Sequence, residues 1–358
     1  MTPQHPKRPK EISPEWLTQA LRDGGLLEKA TVLAIPKLEM LGDDKGFLSS
    51  VVRLSLEYDQ LEPQAPNSVV VKIEPEEETF QKLGDELHAF QREIRFYKEV
   101  ANSAPIRLPR LYFSVDEPPA YCMIMEDLSA FTPGDQIMGM HEQQVLTTVE
   151  SIAKLQAKFW NNDTLQQLQW MPTSNSVSDD YPEKWESFIK YFGEIAGKDG
   201  LQVGKKLVSH ISWLKESIEN RPKTLVHSDL REDNLLFGTP GSESEVIIID
   251  WQLTIRSMGA FDVARVMDGS ELPSERKGHH FNVLRWWHDT LIREGVRDYS
   301  WDDAQYDLRL AALNCLTYPV HFHDAFIGSE GRSLELANVL ISRHFSSVVE
   351  IDAASVLP

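Results

Sequence analysis

The sequence predicts an α+β protein of two unequal lobes, the first an antiparallel β-sheet with one long helix and the second mainly helical. Three observations carry this. Period-two and β-branched runs cluster before residue 126. Apolar residues at spacings of three and four dominate after residue 127. A chain of 358 residues can bury one large or two medium cores. The division falls at 1–126 and 127–358.

In the first lobe, Ser13-Pro14-Glu15 predicts a helix start, with a capping side chain, Pro at the first helical position and an early acid. Trp16, Leu17, Ala20 and Leu21 follow at helical spacing, and Gly24-Gly25 ends the helix. Val32 to Leu41 is the first strand candidate. Leu48, Ser50, Val52, Leu54, Leu56 and Tyr58 alternate with Ser49, Arg53, Ser55 and Glu57, the pattern of a second strand. Between them, Gly42 to Gly46 reads either as an ordinary hairpin turn or as a loop whose backbone N–H groups fold over a triphosphate. Asp43 and Asp44 oppose the second reading unless they point away.

Val69-Val70-Val71-Lys72-Ile73 sets one ammonium among branched apolar residues. A buried cation is costly unless paired, so Lys72 lies on a solvated edge or, the favoured reading, faces an anion. A counter-charge follows. Phe80, Leu83, Leu87, Phe90, Ile94 and Tyr97 predict one long amphipathic helix with Glu93 at the margin of its stripe and Glu86 as a rival one heptad earlier. Leu111–Val115 and Ala120–Met125 read as a hairpin ending in Glu126-Asp127-Leu128.

The second lobe begins with a helix from about His141 to Trp160, whose apolar set Val145, Val149, Ile152, Leu155 and Phe159 is core. Tyr181, Trp185, Phe188, Tyr191 and Phe192 form a stripe that is either core or the wall of a substrate pocket. Leu201 to Ile218 predicts one further helix, as do Asn282 to Glu294, Trp301 to Tyr318 and Ser333 to Ile351. Trp286, Trp287, His288, His321 and Asp324 are lobe core or part of an acceptor pocket. A metal reading of His279-His280 or His321-Phe322-His323 is disfavoured, because adjacent and i+2 side chains on a helix do not face one another.

The chemistry is concentrated between Leu225 and Gln252. His227-Ser228-Asp229, then Asn234, Leu235-Leu236-Phe237, a turn, and Val246-Ile247-Ile248-Ile249-Asp250 read as loop, hairpin and strand end. The hairpin is expected to bring Asn234 and Asp250 together. Two hard oxygen donors suit Mg2+, which keeps several waters and takes few protein ligands. Asp229 then remains to accept a proton from a substrate hydroxyl, the division of labour that phosphoryl transfer requires. Arg231 could reach the transferring phosphate or be spent on an intra-loop ion pair.

With V-x-K-I at Lys72, R-E-I-x-F-Y at Glu93 and M-E-D-L at Glu126, this H-S-D-x-x-x-x-N…I-I-D-W-Q set resembles the kinase-like phosphotransferases: aminoglycoside phosphotransferases, choline kinases and, closest, the ecdysteroid kinase-like group. The resemblance runs from about Gly42 to Asp262. It implies a protein-kinase-like fold with ATP and Mg2+ between the lobes, and a small-molecule hydroxyl as acceptor. It implies roles for Asp229 and Arg231 in catalysis, for Asn234 and Asp250 as metal ligands, and for Lys72 and Glu93 in placing phosphates. Gly46, Ser49 and Ser50 would line the phosphate loop, and Glu126 and Leu128 the adenine hinge. Asp262 would anchor the catalytic loop, and His227 would brace it. Ser228 stands where relatives commonly carry Gly, and Gln156 where they often carry His.

The balance of 36 basic and 55 acidic residues gives a net charge of −19, which argues against nucleic acid or an anionic membrane as partner. Two cysteines, Cys122 and Cys315, predict no disulfide framework and a cytoplasmic protein. No apolar run approaches the ~18 residues of a membrane span. A nucleotide-binding regulatory module would be indicated by loss of Lys72, Asp229 or Asp250, and all three are present. A protein kinase would carry D-F-G, where this chain has Asp250-Trp251-Gln252.

Overall fold

Alternation along the second predicted strand buries Val52 and Leu54 completely, and this face organises the first of two units. The structure is a computed structural model that describes residues 5–42, 48–116, 121–174, 178–238, 245–276 and 278–358, without the side chains of Pro273 and Glu275. The first unit comprises Met1–Ala104, Leu108–Ala130 and Ile249–Leu253; the second comprises Pro105–Arg107, Phe131–Ile248 and Thr254–Pro358.

In the first unit, β1 (Val32–Leu41), β2 (Ser50–Tyr58), β3 (Ser68–Ile73), β4 (Leu111–Val115) and β5 (Cys122–Glu126) form one sheet in the order β1-β2-β3-β5-β4. Every pairing is antiparallel, and Lys72 of β3 stands opposite Val51 and Met123. Helix α1 (Pro14–Asp23) lays Trp16, Leu17 and Leu21 on the core of Val52, Leu54, Val69, Val71 and Ile124. The Ser13 hydroxyl caps it by accepting the Trp16 N–H at 3.2 Å. Gly24 is needed where it ends, since a Cβ there would meet the Tyr112 carbonyl oxygen at 2.1 Å.

The single long helix expected around Glu93 is broken in the structure. Helix α2 (Glu78–Glu86) stops before His88, whose φ of 52° is left-handed, and α3 (Ala89–Arg95) continues into a wider π turn over Phe96–Val100. Apolar spacing records which residues face the core and cannot sense one left-handed residue. Burial shows the division: Leu83 is 38% exposed, whereas Phe90, Ile94, Phe96 and Tyr97 are buried.

The second unit begins at β6 (Thr132–Pro133) and continues through α4 (Glu142–Phe159), α5 (Asp163–Gln167), α6 (Tyr181–Ala196), α7 (Lys198–Val208) and α8 (Ile211–Glu219). The expected helix from Leu201 to Ile218 is therefore two helices. The Ser209 hydroxyl donates to the Lys206 carbonyl at 3.3 Å, and the His210 ring lies 2.7 Å from the same oxygen, so local side chains take up the group that would continue the helix. Short strands β7 (Thr224–Val226), β8 (Leu235–Phe237), β9 (Val246–Ile248) and β10 (Ile255–Ser257) follow, with β10 on β7 and β8 between β6 and β9. Helices α9 (Ala260–Gly269), α10 (Pro273–Arg276), α11 (His280–Arg293), α12 (Trp301–Cys315), α13 (Thr317–His321) and α14 (Gly331–Glu350) complete it. Of the aromatic stripe on α6, Tyr181, Trp185, Phe188 and Phe192 are buried core and Tyr191 is exposed. Among the described residues no helix is long and apolar enough to cross a membrane.

Candidate active site

Three charged side chains meet inside the first unit. Lys72 is delivered by β3 and Glu93 by α3, while Asp250 belongs to the segment Ile249–Leu253 that packs with this unit. The Lys72 ammonium donates to Glu93 Oε2 at 2.5 Å and to Asp250 Oδ1 at 2.7 Å. Burial opposes its charge, but the two carboxylates override burial and hold its pKa above the ordinary lysine value. Burial pushes the Glu93 carboxyl up, against the pull of Lys72. Glu86, the rival acid, is exposed on the surface.

The Ile249–Leu253 segment is fixed by Trp251, whose ring stacks on Phe96 at 4.0 Å and 6°, and whose backbone bonds Glu93. Asp250 has φ 66°, and Gln252 Nε2 donates to its Oδ2 at 3.2 Å. Two carboxylates against one ammonium leave one excess negative charge, and the Asp250 side chain is 22% exposed. That is an oxygen donor suited to a hard divalent cation.

The second unit carries the loop after β7. Pairing of Val226 with Ile255, and a Thr254 hydroxyl donated to the Val226 carbonyl at 2.9 Å, fix where the strand ends. The next two N–H groups, of His227 and Ser228, donate to Asp262 Oδ2 and Oδ1, each at 2.9 Å. Gln156 Nε2 adds a third bond to Asp262 at 3.0 Å, while its Oε1 accepts Trp287 Nε1–H at 2.8 Å. Burial pushes the Asp262 carboxyl up to about 7, opposed by those three donors. Ser228 is held at φ 73°, a conformation glycine adopts more easily. His227 is fully buried, and its Nδ1 accepts the Asp229 N–H at 3.2 Å.

Asp229 emerges from this brace with its carboxylate engaged on both oxygens. Oδ2 accepts from Arg231 Nε and Asn234 Nδ2, both at 3.1 Å, and Oδ1 accepts from an Arg265 terminal nitrogen at 3.0 Å. Burial would raise the carboxyl pKa; Arg231 and Arg265 outweigh it and hold it below the usual aspartate range. The group is a carboxylate at neutral pH, as a proton acceptor must be. Arg231 also donates to Asp233 at 3.0 Å, so of its two readings the structure displays the ion pair within the loop.

The Asn234 amide nitrogen is committed to Asp229 and to its carbonyl at 2.9 Å, which leaves the amide oxygen as the donor it has for a cation. Strands β8 and β9 pair Leu235 with Ile248, so Asn234 lies one residue before this couple and Asp250 two after it. Among the described residues no group of three or more His, Cys, Asp or Glu is placed to hold a metal.

Ser50 opens β2 opposite Ile73, next to the Val51–Lys72 pair, and Ser49 precedes it. Gly46 lies outside the described residues. Glu126 ends β5 opposite Val69, and its carboxylate accepts the Arg110 N–H at 3.1 Å, while Leu128 is buried. Arg265 and Tyr318 escaped the sequence reading. The Arg265 guanidinium lies 4.6 Å above the Tyr318 ring and 3.3 Å from His344 Nε2. The available signal was spacing: Arg265 follows Asp262 by three residues on α9, which puts both on one face.

Solved structures share this fold at low identity. Choline kinase from Cryptosporidium parvum Iowa II aligns with a TM-score of 0.57 at 12% identity, covering 90% of this chain and 91% of that one. A Ralstonia eutropha JMP134 protein assigned as an aminoglycoside phosphotransferase gives 0.52 at 15% identity, with 92% and 96% covered. A microcompartment-associated aminopropanol kinase gives 0.52 at 12%, with 95% and 97% covered. These likenesses establish the protein-kinase-like fold. No curated protein sequence matches the chain. The profile of the ecdysteroid kinase-like family matches residues 43–297, most of the chain, which therefore belongs to that family.

Proposed function

We propose that this chain transfers the terminal phosphoryl group of ATP, with Mg2+, to a hydroxyl of a small molecule. The observation that carries the reading is Asp229, a carboxylate kept ionised by two arginines and set at the end of a loop braced by Asp262. Asp229 orients the acceptor hydroxyl and takes its proton as that oxygen attacks the γ-phosphorus and ADP departs. Lys72, fixed by Glu93, positions the nucleotide phosphates, with Ser49, Ser50 and Gly46 toward the phosphate loop and Glu126 and Leu128 toward adenine. Asp250 and Asn234 would hold the metal, which would supply neutralisation of charge on the phosphates. Arg231 acts through Asp229 as a positioning residue. The choline and aminopropanol kinases that share the fold support a small-molecule acceptor. Cys122 and Cys315 are free and buried, in keeping with a cytoplasmic setting.

The test is incubation of the protein with ATP, Mg2+ and a metabolite library, read as mass gain of one phosphate. Asp229→Asn should lower transfer by roughly 10²–10⁴-fold, the contribution of a positioned general base. A library in which nothing gains phosphate, or an Asp229→Asn variant as active as the parent, would refute the reading.

A further inference from the structure

One of the two arginines on Asp229 is held in turn by the C-terminal helix. Arg265 Nη2 donates to Asp229 Oδ1 at 3.0 Å, and its Nη1 lies 3.3 Å from Nε2 of His344 on α14. His344 is buried, and its Nδ1 lies 2.8 Å from the Leu340 carbonyl one turn back on the same helix. These partners fix the tautomer. A carbonyl oxygen can only accept and a guanidinium can only donate, so Nδ1 carries the proton and Nε2 turns its lone pair to Arg265. Burial, with Arg265 adding to it, pushes the ring pKa down to about 3, so His344 is neutral at pH 7. The helix is pinned at this point by the preceding residue: Arg343 Nη1 donates to the carbonyls of Gln136 at 2.5 Å and Gly269 at 3.1 Å, and Nη2 to that of Ile137 at 3.1 Å.

We propose that His344 is a positioning residue for the transfer reaction, a neutral histidine whose Nε2 lone pair aims Arg265 at Asp229. The inference rests on the phosphotransfer reading, in which Asp229 is the base. Residues 343 and 344 lie beyond the 43–297 matched by the family profile, so this support comes from the chain's own C-terminal helix. Arg265 needs aiming. Its Nε has no hydrogen-bond partner among the described residues, and the Tyr318 ring, 4.6 Å from the guanidinium carbon, attracts the cation without choosing which nitrogen points where. Rival acceptors stand close by. Asp262 and Asp268 on α9 both feel the Arg265 charge, and Asp268 Oδ2 has no hydrogen-bond partner among the described residues. Without His344, Nη1 would be an unmade buried donor, and turning from Asp229 toward another acceptor would become favourable. A carboxylate at this position would share the cation; a neutral lone pair directs it and leaves its charge to Asp229. Cys315 and Tyr318 also face Arg265, and Arg276 and Arg343 face His344; all four stay in place in the His344 variants.

The test compares His344→Phe, which keeps a ring and removes the lone pair, with His344→Gln, which restores an acceptor oxygen. In 15N-histidine NMR spectra of the parent, the His344 signals, assigned by their loss in His344→Gln, should stay those of a neutral Nδ1–H ring from pH 5 to 8. In 15N-arginine spectra, Arg265, assigned by its loss in Arg265→Lys, should show separate Nη–H resonances, the mark of a guanidinium that does not rotate. They should merge in His344→Phe and remain separate in His344→Gln. With the library compound that gains phosphate, kcat/KM at pH 6 should fall about tenfold or more in His344→Phe, with the acid limb moved to higher pH, and return to within about threefold of the parent in His344→Gln. The KM for ATP should change less than about twofold in both. A His344 ring that titrates between pH 5 and 8 or carries its proton on Nε2, Arg265 resonances that stay separate in His344→Phe, or a rate lost equally in both variants overturns the inference. The histidine measurement is made on the parent, so it decides even where His344→Phe does not fold. Resonances that merge as stated while no library compound gains phosphate would instead sustain the positioning and sink the phosphotransfer reading.

Discussion

Replacing Asp262 should separate the brace from the base it supports. Asp262 is fully buried and accepts two backbone N–H groups at 2.9 Å and the Gln156 amide at 3.0 Å. Removing the carboxylate in Asp262→Ala strands both N–H donors where no water reaches, and each unmade buried bond costs about 1–3 kcal/mol. The expected loss is about 3–5 kcal/mol. In Asp262→Asn one oxygen survives while the new NH₂ faces a second donor, so about 2–3 kcal/mol should go. Activity should fall further than folding. Ser228 sits at φ 73°, strain of order 1–3 kcal/mol that only its surroundings maintain. Once released it carries Asp229 with it, and a displacement of ~1 Å at a reacting group costs about 10²-fold in rate. Urea unfolding at pH 7 and kcat/KM for the identified acceptor are the two measurements. If Asp262→Asn unfolds within 0.5 kcal/mol of the parent and turns over within about twofold of it, the bracing argument is wrong.

Two further outcomes follow from the same geometry. Arg265→Met removes one of the two cations that keep the Asp229 carboxyl pKa low, so the base protonates at higher pH and kcat/KM should fall about tenfold or more on the acidic side, with Arg265→Lys recovering part of it. A pH–rate profile that merely scales down, with its acid limb unmoved, would show Arg265 to be a packing residue only. Glu232 offers a stability test with the opposite sign. Burial pushes its carboxyl up to about 8, and its Oε2 has no hydrogen-bond partner among the described residues; in the unfolded chain it titrates near ~4.3. The folded state therefore holds the proton more tightly, so this contribution is complete below about pH 4.3 and is lost as pH rises through about 8, at up to ~1.4 kcal/mol per pH unit. Urea midpoints at pH 5, 7 and 9 should decline in the parent and decline less steeply in Glu232→Gln, the remainder coming from other buried carboxyls such as Asp262; an unchanged slope refutes the assignment.

Much of this site was legible because its residues sit where local patterns change. Lys72 interrupts a run of valines, and Glu93 lies on the margin of an apolar stripe. Their pairing at 2.5 Å is what burial of two such groups demands. Asp250 closes the β-branched run of β9. Spacing misled where one residue's backbone decided the outcome, at His88 between α2 and α3 and at Ser209-His210 between α7 and α8. It was silent where charge is balanced over long sequence separations. Nothing around Asp229 announces Arg265, 36 positions on, and nothing in a single helix of mixed residues announces that Tyr318 underlies it. The aromatic stripe of α6 had two readings, and burial of Tyr181, Trp185, Phe188 and Phe192 assigns those four to the core.

The two charge clusters differ in what they still need. Around Asp229, the carboxylates of Asp229 and Asp233 meet Arg231 and Arg265, two charges of each sign, so the proposed base is complete without any added ion. Around Lys72, two carboxylates share one ammonium in a poorly solvated site, and an uncompensated buried charge is costly. A divalent cation held there, as proposed, would relieve that cost, and its own excess of charge would suit phosphate oxygens. In the proposed reaction the proton-accepting carboxylate and the metal-holding carboxylate would thus be balanced separately, and the metal dependence would belong with Asp250 and the nucleotide rather than with activation of the acceptor hydroxyl.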